Sequence, residues 1–493
     1  MFKTQNLPII LLFLCSYLTF SSCTSSSNKE VIEEEKKTNI IFILADDLGY
    51  GDLSFLGQEY IETPNIDRLA KEGMFFTNHY SGATVCAPSR SSFLTGLHTG
   101  HTPIRGNLGT EPEGQYPLPD SIPSLAKIME GAGYATGAFG KWGLGYIGTT
   151  GDPNRQGFGQ FYGYNCQSLA HRYYPAYLWD NAEKVILEGN GWVEKAVYAP
   201  DVIQSETITF LENNKSNPFF LFMPIVMPHA ELAAPDDAIF QKYRAKFGEE
   251  QAYPARKGSE YGSDIKTSAY QSQPYPHATF AAMVERIDSY LGEVLDKLEE
   301  LGLEKNTLII FASDNGAHKE GGADPDFFDS NGPFRGHKRD LYEGGVRTPM
   351  IAWWPGKVKA GTQSDHISAF WDLLPTFAEL AGAPVPENID GISFLPTLLE
   401  KEQKEHDYLY WEFHEQGGKQ AVRQGKWKAV KLQVFGSEEP TLELYDLSVD
   451  LGEENNIAAE NPEKVKELEE LMNSSHTRNP VFGLLPSERK SGE

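Results

Sequence analysis

Two short polar segments in this 493-residue sequence have the residue types of a cation site. Asp46 and Asp47 follow the apolar run NIIFILA, and Asp314 and Asn315 follow the run TLIIFAS. In open α/β sheets, ligands gather beyond the carboxyl ends of the strands. Three carboxylates and one amide oxygen suit a hard divalent cation such as Ca²⁺. Either segment alone is also typical of a cap or a turn, but the two together predict a calcium site with an open position.

A third motif begins at Cys86, in the segment CAPSRSSFLTG. An isolated cysteine is usually a small buried hydrophobe. Here Pro88 follows after two residues, Arg90 after four, and Leu-Thr-Gly after eight. This spacing closely resembles the signature of the sulfatase family, in which the cysteine is oxidised to formylglycine during export. The resemblance implies modification of Cys86 by a formylglycine-generating or other sulfatase-maturing enzyme, and therefore no disulfide with Cys166.

The chemistry of a modified residue 86 fits the neighbouring cation site. A hydrated aldehyde is a geminal diol, and a nearby divalent cation lowers the pKa of one hydroxyl. That oxygen attacks sulfur in line with the departing alkoxide, and the second hydroxyl then collapses to the aldehyde and expels sulfate. One difficult hydrolysis thus becomes two easier steps. Residues after Cys86 are expected to open a helix, whose N-terminal amides favour anions.

The resemblance also assigns roles to residues elsewhere in the chain. It implies that Arg90 stabilises the modified side chain, that Lys141 and Lys338 contact sulfate oxygens, and that His229 contacts sulfate and protonates the leaving oxygen. Cationic donors at these places stabilise the growing negative charge on those oxygens. The same resemblance implies that one calcium ion is held by five residues: Asp46, Asp47, Cys86 in its modified form, Asp314 and Asn315.

One position departs from the family pattern. The family commonly places a histidine two residues after the first lysine, where it assists the nucleophile or the collapse step. This chain has Gly143 there, in the segment KWGLG. His98 and His101, just past the signature helix, are candidates for the missing role, and His101 is the preferred one.

Alternating apolar runs and amphipathic segments predict an α/β fold with a largely parallel sheet. The resemblance specifies a large mixed, mostly parallel sheet flanked by helices, as in alkaline phosphatases and sulfatases, with a smaller C-terminal α+β antiparallel sheet. The longest predicted helix, 277–301, carries apolar residues at three- and four-residue steps. The other predicted helices are 63–73, 121–130, 201–214, 370–381 and 462–472, and the predicted strands are 39–44, 219–226, 307–312, 349–354, 408–413, 420–423 and 427–432.

The N-terminus has the pattern of an export signal. Lys3 precedes a mostly apolar stretch, and Ser-Ser-Cys ends it at Cys23, as in a bacterial lipoprotein cleavage site. We therefore expect a lipoprotein-type signal peptide with lipidation at Cys23, and ordinary signal cleavage is the alternative. The predicted organisation is a signal at 1–23, a tether at 24–37, a catalytic domain at 38–399 and a C-terminal subdomain at 400–493.

The charge balance restricts the partners. A formal charge of −26 argues against nucleic acid, whose phosphates need a basic face. Any anion site must therefore be local. The expected location is the periplasm or the outer surface of a bacterium, with the membrane reached only through a lipid anchor.

A long aromatic loop is the candidate for substrate recognition. His171 and Arg172 precede several tyrosines and a tryptophan, whose rings stack on sugars. A packed aromatic cluster is the alternative interpretation. We expect a sulfated carbohydrate as the substrate, with an exo-acting enzyme on galactose-type sugars favoured.

Two other functions compete with a sulfatase. The first is a phosphoric or phosphonate ester hydrolase of the same superfamily, which would often carry two metals and further histidine ligands. The second, from another class, is a noncatalytic glycan-binding lipoprotein that kept the fold. The intact Cys86 segment and both lysines argue against the second.

Overall fold

The computed structural model describes residues 1, 36–111, 113–191, 194–258, 269–436 and 439–489. The predicted signal after Met1, Cys23 and the predicted tether up to residue 35 lie outside the described residues. Residues 37–493 form one compact unit. In the described part of the chain, no helix is both long enough and apolar enough to cross a membrane.

The described strands belong to one large sheet, one four-stranded sheet and two small two-stranded sheets. In chain order they are β1 Asn39–Asp46, β2 Met74–Phe76, β3 His79–Tyr80, β4 Gly109–Thr110, β5 Gly114–Gln115, β6 Ala135–Lys141, β7 Gln160–Tyr164, β8 Tyr177–Asp180, β9 Glu183–Ile186, β10 Phe219–Pro228, β11 Thr307–Ser313, β12 Met350–Trp353, β13 Thr362–Ser364, β14 Ser368–Ala369, β15 Leu409–Phe413, β16 Lys419–Gln424, β17 Trp427–Leu432 and β18 Thr441–Asp446.

The described α-helices range from single turns to one of 25 residues. In chain order they are α1 Pro64–Glu72, α2 Cys86–Thr95, α3 Leu125–Gly131, α4 Gln167–Ala170, α5 Ala199–Asn214, α6 Ala238–Phe247, α7 Pro276–Glu300, α8 Pro325–Phe328, α9 Glu343–Val346, α10 Leu373–Ala381, α11 Leu395–Leu398 and α12 Pro462–Ser475.

The large sheet has ten strands in the order β13-β2-β12-β11-β1-β10-β6-β7-β8-β9. Its centre, β11-β1-β10-β6-β7, is parallel, and the strands outside it add antiparallel pairs. All eight residues of β1 are buried, as expected of a central strand covered on both faces. The mixed, mostly parallel sheet confirms the predicted fold class.

Helix α7 confirms the strongest helical pattern. Its apolar stripe, from Phe280 to Leu298, is buried in the main core. Helix α3 differs from the prediction, because it begins only at Leu125 instead of 121. The reason is local: the Ser124 side chain accepts a hydrogen bond from the Lys127 N–H and caps the helix there.

The C-terminal sheet, β15-β16-β17-β18, is antiparallel and confirms the predicted small α+β unit. One face packs on α12 through residues such as Leu444 and Met472. The other face packs against residues that flank Cys86 in sequence, because Trp411 shares a buried cluster with Tyr80 and Val85. The Trp411 indole N–H also donates to the Ser81 carbonyl at 3.0 Å. This sheet therefore supports the segment that carries Cys86.

Candidate active site

Four buried polar residues meet where two neighbouring strands end. Strands β1 and β11 pair in parallel with Ala45 opposite Ser313, so the residues that follow them are brought together, as predicted. The Asp47 backbone N–H donates to Asp314 Oδ1 at 3.1 Å. Asp47 has a positive φ of 66°, an uncommon conformation for a residue other than glycine. Such backbone strain is typical of functional sites.

Cys86 is the first residue of α2 and is 1% exposed. Its Sγ donates to Asp46 Oδ1 at 3.3 Å, and Lys141 Nζ lies 3.5 Å from the sulfur. Burial, and then the negative charge of Asp46, raise the pKa of the Cys86 thiol well above its usual value. An unmodified thiol here is therefore protonated and a weak nucleophile. Cys86 and Cys166 are both free in the structure, as predicted.

Arg90 and Lys141 hold the carboxylates from one side. Arg90 Nη2 donates to Asp46 Oδ2 at 3.2 Å and to Asp314 Oδ2 at 3.0 Å. Lys141 Nζ donates to Asp46 Oδ2 at 2.6 Å, and Arg90 Nη1 donates to the Lys141 carbonyl. Arg90 and Lys141 are 1% and 0% exposed, so both charges are screened little by water.

Lys338 and His229 approach Asp47 from the other side. Lys338 Nζ donates to Asp47 Oδ2 at 2.7 Å, and His229 Nε2 lies 3.5 Å from the same oxygen. His229 Nδ1 donates to the Ala230 carbonyl, which leaves Nε2 facing the pocket. Burial, and then the charges of Lys338 and Lys141, lower the pKa of His229 well below its usual value. His229 is therefore a neutral imidazole in this environment.

The carboxylates differ in their electrostatic environments. Burial tends to raise the pKa of Asp46, but the positive charges of Lys141 and Arg90 outweigh it and lower that pKa strongly. Burial, and then the charge of Asp46, raise the pKa of Asp314 to about 7. Without a bound cation, the local positive charge thus keeps Asp46 ionised more readily than Asp314.

Asn315 provides the test of whether a cation fits. Its Nδ2 donates to Asp47 Oδ1 at 2.7 Å and to the Gly316 carbonyl at 3.0 Å. Its Oδ1 is buried without a hydrogen-bond partner among the described residues. A buried acceptor left unpaired is costly. A hard cation would satisfy this oxygen, and Asp46, Asp47, Cys86 and His229 also place ligand atoms within 4.8 Å of one another. The donor set therefore fits Ca²⁺.

The substrate-loop candidates have different environments. The His171 ring stacks on His229 with centroids 4.9 Å apart and planes 7° from parallel. Its Nδ1 is buried without a hydrogen-bond partner in the described part of the chain. Arg172 is 2% exposed, and its Nη1 forms an ion pair with Glu231 at 3.1 Å. His171 thus lies next to the site through its contact with His229, whereas Arg172 pairs with the buried carboxylate of Glu231.

His101 lies in a separate group with His98 and Asp390. Its Nδ1 is 2.9 Å from Asp390 Oδ1, and its ring stacks on His98 at 4.2 Å. The structure does not bring this group together with Cys86. The hypothesis that His101 replaces the histidine absent at Gly143 gains no contact in support.

The prediction missed a polar group next to Lys338. Glu320 lies 2.7 Å from Arg339 Nη1 and 3.8 Å from Lys338 Nζ, and it accepts a hydrogen bond from the Tyr270 hydroxyl at 3.1 Å. Tyr270 also packs edge-on against His171. Arg339 could have been suspected from the sequence because it follows Lys338. Glu320 and Tyr270 belong to no motif that would have indicated them.

His318 is the one histidine close to the Asp314-Asn315 segment in sequence. Its Nε2 donates to the Pro228 carbonyl at 3.1 Å, and its Nδ1 accepts from the Glu320 N–H at 3.2 Å. Both ring nitrogens are thus bound to the backbone. His318 therefore supports the loops that carry His229 and Glu320, and a second metal ion would have to displace these bonds.

Residues 343–347, with the sequence EGGVR, lie against the backbone that follows Asn315. A Cβ on Gly316 would lie 1.8 Å from the Gly344 carbonyl oxygen, so the backbone after Asn315 touches α9 directly. Gly316 N–H also donates to the Gly345 carbonyl at 3.1 Å. Close backbone approach of this kind requires glycine. The segment therefore positions the loop that carries Asn315.

The parallel sheet carries buried carboxylates at its carboxyl edge, with Cys86 at a helix N-terminus and two lysines and a histidine beside them. This arrangement is typical of metal-dependent hydrolases of anionic esters. The family model described as Sulfatase matches residues 38–383. A second, N-sulphoglucosamine sulphohydrolase, C-terminal, matches residues 334–478. The chain belongs to the sulfatase family, the type I sulfatases of the alkaline phosphatase superfamily, and is a sulfatase enzyme.

Individual relatives extend over most of the chain. The N-acetylgalactosamine-6-sulfatase of Homo sapiens is 32% identical over 76% of this chain and 68% of its own length. The N-acetylgalactosamine-6-O-sulfatase of Bacteroides thetaiotaomicron is 28% identical over 96% of this chain and all of its own length. Among solved structures, Ps i-CgsB in complex with k-i-k-neocarrahexaose has a TM-score of 0.74 at 29% identity, covering 92% of this chain and 96% of that chain.

Proposed function

We propose that this sulfatase removes sulfate from a sulfated carbohydrate, using a formylglycine made from Cys86 and one bound Ca²⁺. One observation carries the proposal. Cys86 lies at the first turn of a helix, with its sulfur in contact with both Asp46 and Lys141. A residue placed between a carboxylate of a cation site and a cationic donor is in position to attack an anionic ester.

The calcium ion would be held by the oxygens of Asp46, Asp47, Asp314 and Asn315 together with residue 86. The unpaired Asn315 Oδ1 supports this assignment. When bound, calcium would supply charge that favours the ionised form of a hydroxyl on residue 86. Arg90, in contact with Asp46 and Asp314, keeps both carboxylates in place for the ion.

The remaining cations would bind the sulfate group. Lys141 and Lys338 reach the pocket from opposite sides, each paired with a different aspartate. Their ammonium groups would donate to sulfate oxygens and stabilise charge that builds up during S–O cleavage. His229 fixes its Nδ1 proton on a backbone carbonyl, so its Nε2 is the atom available to exchange a proton with the leaving oxygen.

A galactose-type sugar is the favoured substrate class. The named relatives act on or bind N-acetylgalactosamine sulfate and neocarrahexaose. In this chain His171, Tyr270 and Glu320 form a connected polar and aromatic group beside His229. Aromatic rings and hydrogen-bonding groups of this kind suit sugar recognition. We place His171 in contact with the sugar and give Arg172 the role of holding Glu231.

We further propose that the protein is exported, with residues 1–23 as a signal and Cys23 as a possible lipidation site. A catalytic domain at 38–399 and a C-terminal subdomain at 400–493 complete the proposed organisation. The periplasm or outer surface of a bacterium is where such an enzyme meets polysaccharide. Labelling with a fatty-acid analogue, compared between wild type and Cys23→Ala, tests the anchor.

A peptide mass map across residue 86 tests the central proposal. The matured protein is expected to carry an aldehyde in place of the thiol, and Cys86→Ala is expected to abolish release of sulfate from an aryl sulfate. An unaltered thiol in fully active protein would overturn the proposal. Aryl sulfate and aryl phosphate esters assayed side by side distinguish a sulfatase from a phosphoric ester hydrolase, and faster turnover of the phosphate ester would favour the latter.

A further inference from the structure

Gly143 stands where the family pattern has a histidine, and the space beside it is filled by another residue. Gly143 has a positive φ of 76°, which disfavours any side chain. A Cβ built on Gly143 would lie 2.4 Å from Gln167 Nε2. The carboxamide of Gln167 therefore occupies the volume that a side chain at position 143 would need.

Gln167 is buried but its amide nitrogen is unused. The residue is 7% exposed, and its Nε2 has no hydrogen-bond partner among the described residues. A buried N–H donor without a partner destabilises the folded state. Such a group is typical of a position where a ligand completes the hydrogen bond.

The backbone ties this region to the site. Gly143 N–H donates to the Asn165 carbonyl at 3.2 Å, and Trp142 N–H donates to the Tyr164 carbonyl at 2.9 Å. Lys141, two residues before Gly143, reaches the Cys86 sulfur. The short helix that Gln167 begins thus lies directly beside the strand end that presents Lys141.

Gln167 and His171 are four residues apart across helix α4, so their side chains project from similar sides of one turn. The His171 ring stacks on His229. Burial, and then the positive charges of Lys141 and Lys338, lower the pKa of His171 to about 3. This turn therefore carries two buried nitrogen atoms without hydrogen-bond partners among the described residues: Gln167 Nε2, beside Gly143, and His171 Nδ1, in the ring that stacks on His229.

We propose that Gln167 Nε2 donates a hydrogen bond to a sulfate oxygen of the bound ester, in the place of the family histidine. The inference rests on the proposed function and deepens it. A carboxamide does not titrate in the working range, so this position binds sulfate without exchanging a proton. Proton transfer is left to other groups, of which His229 Nε2 is the one in contact with the site.

The test is Gln167→Leu, which keeps the approximate volume and removes the donor. Relative to wild type, kcat/KM for an aryl sulfate is expected to fall about 10- to 100-fold, and inhibition by free inorganic sulfate is expected to weaken by a similar factor. The pH dependence of the remaining activity is expected to keep the wild-type shape. A change in that shape would overturn the assignment of a purely binding role.

Gln204→Leu is the matched control. Gln204 is also buried, but its Nε2 donates to the Tyr290 carbonyl and to Glu293, away from the cation site. This variant is expected to lose stability and keep wild-type inhibition by sulfate. If Gln167→Leu binds inorganic sulfate as wild type does, with normal formylglycine content, the inference is wrong. An absent aldehyde or inactive wild-type enzyme would instead refute the proposed function itself.

Discussion

Two of the buried groups of charged residues in the described part of the chain have different roles. The first, the site cluster, consists of Asp46, Asp47, Asp314, Arg90, Lys141 and Lys338. The second, the sheet cluster, consists of Glu343, Glu453, Lys428, Arg347, Arg423 and Tyr80. In the sheet cluster Lys428 Nζ contacts Glu343 at 2.7 Å and Glu453 at 3.3 Å, and both Lys428 and Glu343 are fully buried.

The two clusters are alike in being buried and charged, and they differ in where they lie in the fold. The sheet cluster joins α9 and β3 to the C-terminal sheet, because Tyr80 of β3 and Lys428 of β17 both donate to Glu343 of α9. The site cluster lies at the carboxyl ends of β1 and β11, beside the unpaired Asn315 Oδ1. The position of the site cluster at strand ends is typical of a binding site, whereas the ion pairs of the sheet cluster connect separate segments of the chain.

The largest expected effect is on stability, from Lys428→Met. Lys428 pairs with two buried carboxylates, Glu343 and Glu453, and breaking buried ion pairs of this kind costs about 3–5 kcal/mol. Denaturant unfolding should show a lower midpoint, while the protein that remains folded at 25 °C keeps a kcat close to wild type. A large loss of kcat with unchanged unfolding would contradict the structural role of the sheet cluster.

For Lys141→Ala, in the site cluster, we expect the opposite result: a large loss of activity with a small loss of stability. Loss of one donor to the developing charge lowers kcat/KM by about 10²- to 10³-fold, measured with an aryl sulfate. Asp46 keeps its contact with Arg90, so the unfolding midpoint should change far less than in Lys428→Met. Equal losses of stability in the two variants would erase the distinction between the clusters.

Calcium should stabilise the protein through the site cluster alone. A ligand at 100 times its Kd adds about 2.7 kcal/mol to the free energy of unfolding. Thermal unfolding with calcium and with a chelator should therefore differ in wild type and in Glu453→Gln. The calcium-dependent difference should be lost in Asn315→Ala. No difference in the wild type would exclude calcium binding at this site.

A pH dependence of stability is also expected from the sheet cluster. Burial outweighs the attraction of Lys428 and raises the pKa of Glu453 from 4.5 to about 7. The folded state therefore binds more protons than the unfolded state between these values, and stability falls as pH rises from about 4.5 to 7. Glu453→Gln should flatten that fall in the thermal midpoint. A fall of unchanged size would assign it to another group.

Much of the fold followed from apolar periodicity. The unbroken apolar run of β1 is typical of a strand covered on both faces. The apolar stripe of α7 is typical of an amphipathic helix. Strand β6 was harder to identify, because Gly137 and Gly140 interrupt its pattern. Its Gly140 is required where a Cβ would lie 2.1 Å from the Pro224 carbonyl oxygen. Such close approaches depend on a distant strand that local pattern does not reveal.

Some residues of the candidate site could likewise be predicted from the sequence, and others could not. Asp46, Cys86 and Asp314 belong to motifs with their own chemistry, so spacing predicted them. Gln167 and Glu320 belong to no motif, and each matters through what the fold brings beside it. Tertiary proximity of this kind has no signature within a window of sequence.

The burial of Cys86 has a consequence for the order of events during biosynthesis. At 1% exposure, its sulfur is closed in by Asp46 and Lys141, and an enzyme that must grip the surrounding peptide has no access to it. Lys338, which contacts Asp47, and the C-terminal sheet, which packs against Val85, are made long after residue 86. Conversion of Cys86, as proposed, therefore belongs to the interval when the chain is still extended, and a copy that folds first stays permanently inactive.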